Sequence, residues 1–86
     1  MPEISRFFGI VIKMFYEDHN PPHFHAEYGG EKVLIDIRTL SVFAGVLSPR
    51  AMGLVIEWAT LHQQELMADW EKARAHQELV EIAPLK

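Results

Sequence analysis

Residues 18–37 read Asp18-His19-Asn20-Pro21-Pro22-His23-Phe24-His25-Ala26-Glu27-Tyr28-Gly29-Gly30-Glu31-Lys32-Val33-Leu34-Ile35-Asp36-Ile37. Two runs of alternation meet at a pair of glycines. In the first, His23, His25 and Glu27 fall on one side and Phe24, Ala26 and Tyr28 on the other. In the second, Val33, Ile35 and Ile37 oppose Lys32, Leu34 and Asp36. A period of two marks a strand with one face buried. Gly29-Gly30 supplies the freedom for positive φ that a tight hairpin turn requires. The stretch therefore predicts a β-hairpin, and with it an antiparallel fold.

Working outward, Phe7–Tyr16 is rich in β-branched and aromatic residues and predicts a strand, with Ile10, Ile12, Met14 and Tyr16 on one face and Gly9 as a bulge. Glu17–Pro22 is a loop that two prolines stiffen. Thr39–Val46 predicts a fourth strand that Gly45 ends. Ser48-Pro49 is a helix start, with Ser at the N-cap and Pro at the first helical position. Apolar residues at Met52, Val55, Ile56, Ala59, Leu66, Trp70 and Ala73 then share a helical face, which Leu54, Trp58, Leu61 and Met67 widen. A helix over 48–75 would be roughly 40 Å long. That exceeds what a small sheet covers, so a bend near His62–Gln64 is the alternative to one straight helix. Glu78–Pro84 predicts a last edge strand or an arm on a neighbouring molecule.

The expected fold class is α+β: an antiparallel meander of about four strands (7–46), one long C-terminal α-helix (48–75) and a short terminal strand or arm (78–86), in a single domain spanning 1–86.

The chain has 86 residues, 49% apolar and 23% charged, which is globular composition. It has no cysteine, so disulfides and thiolate metal sites are excluded and a reducing cytoplasm is the expected location. A net charge of −4 with no basic arm gives no support to nucleic-acid binding. No signal peptide is expected, and no apolar run is long enough to span a membrane. A core this small usually gains stability from a staple or a partner, which makes a homo-oligomer a candidate.

The segments Ile4-Ser5-Arg6-Phe7-Phe8-Gly9-Ile10, Asp18-His19-Asn20-Pro21-Pro22-His23-Phe24-His25-Ala26, Ile35-Asp36-Ile37 and Glu57-Trp58-Ala59 resemble the small bacterial proteins called domain of unknown function 4160. The resemblance covers essentially the whole chain. It implies a stand-alone bacterial protein, often encoded beside a second small protein, in a two-protein module of toxin–antitoxin type. It implies no established catalytic residues.

Three histidines within seven residues carry the chemical character of the chain. His23 and His25, two apart on a strand, point to the same side. His19 precedes the prolines and folds back over that side in this reading, and Glu27 extends the row. His19, His23, His25 and Glu27 are candidate ligands for Zn, Mn, Fe or Ni, all of which imidazole suits. Without metal, His19, His23 and His25 are candidate general acids and bases for phosphodiester cleavage, with Arg6, Lys13 or Arg38 stabilising the phosphate. A structural role, with rings packed on aromatics and bonded to backbone carbonyls, is the third reading. Asp36 and His62 read as solvated or packed residues, Trp58 and Trp70 as core or interface, and Arg50 as a helix charge near an N-terminus. Three functions stay open: a module component acting through protein contact by exposed Leu54, Trp58, Leu61 or Met67; a nuclease-like or metal-dependent hydrolase; and a metal-binding module without turnover.

Overall fold

The computed structural model describes residues 3–86. Strands β1 (Glu3–Phe7), β2 (Ile10–Lys13), β3 (His23–Tyr28), β4 (Glu31–Asp36) and β5 (Val42–Gly45) form one antiparallel sheet in chain order. Helices α1 (Pro49–Leu61) and α2 (Gln63–Arg74) follow. The α+β meander is as expected. The strand count and the single long helix are not.

The central hairpin forms as its alternation predicts. His23 pairs with Asp36, His25 with Leu34 and Glu27 with Lys32, and the turn places Gly29 and Gly30 at φ 58° and 84°. Upstream, the expected strand 7–16 is folded in two. Phe8 and Gly9 take φ 50° and 80°, and Phe7 pairs with Ile10. Two consecutive left-handed residues reverse the chain, so Gly9 belongs to a turn and not to a bulge. The reversal brings residues 3–6 into the sheet as its first strand. Downstream, the expected strand 39–46 narrows to Val42–Gly45. Asp36 Oδ1 accepts from the Arg38 and Thr39 N–H groups at 2.7 and 3.3 Å, which bends Arg38–Ser41 into a turn.

The helix starts as Ser48-Pro49 predicts, with the Ser48 hydroxyl accepting from the Ala51 N–H. It then breaks at His62, whose φ of −124° is not helical. The His62 N–H turns back to Ala59 O at 3.1 Å, closing α1, and the His62 carbonyl accepts from Leu66 N, opening α2. Gln63 Nε2 donates to the carbonyls of Ile37 and Arg38 at 2.7 and 3.1 Å and ties the break to the end of β4. The break lets two tryptophans serve different places. Trp58 packs on Phe7 and Phe24 in the core, and Trp70 reaches the His23 ring.

The core lies between one sheet face and the helices. Ile10, Ile12, Met14, Phe24, Ala26, Val33, Ile35 and Ile37 come from the sheet, and Val55, Trp58, Ala59, Leu66, Trp70 and Ala73 from the helices. Of the four apolar residues expected to widen the helix surface, Trp58 is fully buried, Leu54 and Met67 are partly buried, and Leu61 alone stands out at 67% exposed.

Residues 75–86 form no strand and no arm reaching outward. They fold over their own chain. Ile82 N donates to Ile4 O at 2.8 Å beside β1, Trp58 Nε1 donates to Ala83 O at 2.8 Å, and Val80 N donates to Asp69 Oδ1 at 2.9 Å. Ile82 is buried in the core cluster. Asp69 is itself buried. That burial pushes its carboxyl above the ordinary aspartate value, against the opposing pull of the Val80 N–H and Lys72. None of the helices is long and apolar enough to cross a membrane among the described residues.

Candidate metal centre

The first turn of the site is built by prolines. Pro21 and Pro22 have no N–H to give a ladder, so β3 begins only at His23. The loop before them bends back until Asp18 stands over the start of β3. A cis bond joins Asn20 and Pro21. The Asp18 side chain caps its own turn, with Oδ1 accepting from His19 N at 2.9 Å. This leaves Oδ2 directed at the strand.

Both imidazoles meet that oxygen. His23 Nε2 lies 2.9 Å from Asp18 Oδ2, and His25 Nε2 lies 3.2 Å from the same atom. The three ligand atoms fall within 4.8 Å of one another. His23 is the buried member at 3% exposed, enclosed by the rings of Phe43, Trp70 and His25, each with its centroid 5.2 Å away. His25 is half-buried, edge-on to Phe15 at 4.5 Å.

The hydrogen bonds decide which nitrogen of His23 can bind. Its Nδ1 lies 2.8 Å from the Pro21 carbonyl oxygen. A carbonyl only accepts, so Nδ1 carries the proton and donates. In the neutral ring Nε2 then holds a lone pair, and it faces a carboxylate oxygen that also holds lone pairs. Two acceptors at 2.9 Å repel unless a cation lies between them, either a proton or a metal ion. A backbone carbonyl that fixes the far nitrogen of a histidine is the usual outer support of a metal-ligating imidazole. Ligands around an ion at bond lengths of about 2.0–2.2 Å stand roughly 2.9–3.5 Å apart, and the two separations to Asp18 Oδ2 fall in that range.

Charge state agrees with ligation. Burial pushes the Asp18 carboxyl up, but the His19 N–H and the two imidazoles outweigh it and hold the group below the ordinary aspartate value. Burial lowers His25, helped by the His23 charge and opposed by Asp18, so its neutral form is favoured. An ionised Asp18 carboxylate and a neutral His25 imidazole are forms that ligation of a divalent ion requires.

The other candidates lie elsewhere. His19 is exposed and gives the centre only its backbone N–H. Glu27 is on the same strand face, but Lys13 Nζ holds both of its oxygens at 3.1 Å. Arg6 is bidentate with Glu3 on β1 at 2.8 and 2.9 Å. Arg38 lies 3.8 Å from Asp36, whose carboxylate serves the turn. The structure thus brings together His23 and His25 with Asp18, and does not bring His19 or Glu27 to them. Asp18 lay at the loop entrance in sequence, five residues before His23. The turn preferences of Asp18 and Asn20 were the signal that the loop could return on itself, whereas the two prolines pointed to an extended path.

Fold and cluster together define a small meander protein with two helices and a two-histidine, one-carboxylate group where β3 begins. The chain belongs to the family described as Domain of unknown function (DUF4160), whose model matches residues 9–71. The matched stretch contains all three clustered residues. No curated protein and no solved structure matches the chain.

Proposed function

We propose that this protein binds one divalent transition-metal ion through Asp18 Oδ2, His23 Nε2 and His25 Nε2. The observation that carries this reading is the Pro21 carbonyl on His23 Nδ1, which leaves the Nε2 lone pair facing the Asp18 carboxylate at 2.9 Å. Two imidazoles and one carboxylate suit Zn, Fe, Mn or Ni and leave coordination positions for water or another ligand. Binding is favoured over phosphodiester hydrolysis because Arg6, Lys13 and Arg38 are engaged by Glu3, Glu27 and Asp36. None of these three is thereby left free to hold a phosphate at the cluster.

The test is a calorimetric titration of metal-free protein, without a histidine tag, with Zn²⁺ and Co²⁺. One equivalent should bind, and Asp18→Asn and His25→Ala should each weaken binding at least tenfold. Trp70 beside His23 supplies a second readout, because Co²⁺ at the site should quench tryptophan fluorescence and Trp70→Phe should reduce that quenching. Equal affinity in wild type and both variants would remove the site.

A second reading is favoured by a separate observation. Phe8 and Tyr28 stand 60% and 41% exposed and, with Leu54, line one groove away from β5. Exposed apolar residues grouped together mark contact with another protein. That suits a component of a two-protein, toxin–antitoxin-like module in a bacterial cytoplasm. Co-expression with the product of the adjacent gene should then give a complex of fixed stoichiometry. Separate elution of the two proteins would dispose of it.

A further inference from the structure

The sheet has two outer strands, and they are treated differently. Beside β1 the chain's own C-terminal segment is docked through the Ile82 N–H to Ile4 O bond. Beside β5 no element lies among the described residues. Every residue of β5 is exposed. Monomeric proteins protect such an edge with lysine, proline, an inward-pointing charge, a bulge or a very short strand. Here β5 carries no charge and no proline, and is protected only by its four-residue length and the register shift opposite Leu34 and Ile35. The eleven residues between Arg38 and Arg50 form the longest uncharged run of the chain. Unpaired backbone groups on an apolar strand are a template for another strand.

We propose that β5 pairs antiparallel with β5 of a second copy about a twofold axis, joining two five-stranded sheets into one. Two features select a second copy as the occupant. An antiparallel strand pair is its own complement under a twofold axis, so each outward N–H meets an outward C=O of the same sequence. In a chain of net charge −4, most faces of two copies repel, while an uncharged strip meets its equal without like charges opposed. Gly45, at φ +81°, limits the paired length by turning the chain after Ala44. The four residues of β5 with Val46 would bury well under about 1,000 Å² in total, below the size of a stable specific interface and in the range of weak, transient ones. The dimer is therefore weak and concentration-dependent. Phe43 also packs edge-on against His23, so the interface and the histidine cluster share one wall.

Sedimentation velocity of the full chain in chelator, across a wide concentration range, tests this independently of metal binding. The expected result is a monomer–dimer equilibrium that Ala44→Lys weakens at least tenfold. Val46→Lys, at a position more exposed still, should do the same if the first variant folds poorly. The chain has no cysteine, so Ala44→Cys adds a direct probe. Near the axis its two copies approach within disulfide reach and should crosslink on oxidation. A monomer at every concentration, a dimer indifferent to both lysines, or an Ala44→Cys chain that stays uncrosslinked would overturn the proposal. So would displacement of the dimer by the adjacent gene's product, which would assign the edge to that protein.

Discussion

Gly45 and Asp69 show how single positions hold this fold. A Cβ on Gly45 would lie 2.2 Å from the Lys32 carbonyl oxygen, at a φ of +81° that side chains rarely adopt. Both faults are in backbone, which cannot move aside. Gly45→Ala should cost at least about 2 kcal/mol in urea unfolding. Asp69 acts through its charge. Its folded pKa is raised above the unfolded value of 3.8. Between those two values the folded state binds more protons than the unfolded state. Its contribution is therefore most favourable below pH 3.8 and is lost as pH rises through the folded value. Glu65 and Lys72 face the same carboxylate with opposite effects. Asp69→Asn keeps the acceptor for Val80 N–H and removes the charge. It should raise the melting temperature at neutral pH, and the gain over wild type should shrink as the solution is acidified. A gain that stays constant with pH would show that the charge is not the cause.

At the scale of elements, what was legible followed from pattern, and what was missed followed from its absence. The hairpin at 23–36 was readable because its polar and apolar residues alternate on both sides of two glycines. The helix start at Ser48-Pro49 was readable because both residue types serve the first turn. The hairpin at Phe8-Gly9 was not, since Phe7–Ile12 is apolar almost throughout and phenylalanine seldom takes a positive φ. The break at His62 was weighed only as the alternative, because apolar spacing continues from Ile56 to Leu66 across it. Docking of residues 79–86 depends on Trp58 Nε1, Asp69 and Ile4, which are far away in sequence. Trp58→Phe tests that docking. It keeps a ring in the core and deletes the bond to Ala83 O, at a cost of about 1 kcal/mol. Amide exchange at Ile82 should quicken relative to that at Ile12 within β2.

For the molecule as a whole, the site was half legible: strand period put His23 and His25 side by side, whereas Asp18 joined them only through the path of a folded loop. If that trio holds an ion, metal at a hundredfold excess over its dissociation constant should stabilise the protein by about 2.7 kcal/mol. Asp18→Asn should erase that gain in a thermal scan, and because the fold holds the Asp18 carboxyl below its ordinary value, the metal-free variant should also melt somewhat below the metal-free wild type at neutral pH. The segment folded against β1 sets a further property, the size at which self-association ends. A sheet open at both margins would add molecules without limit, like a ribbon. Here the C-terminal segment lies against one margin through the Ile82 N–H to Ile4 O bond, so two molecules joined at the other, as proposed, would leave only covered borders and growth would terminate. Deleting residues 79–86 should uncover the first margin, replacing a finite pair with heterogeneous, light-scattering polymers.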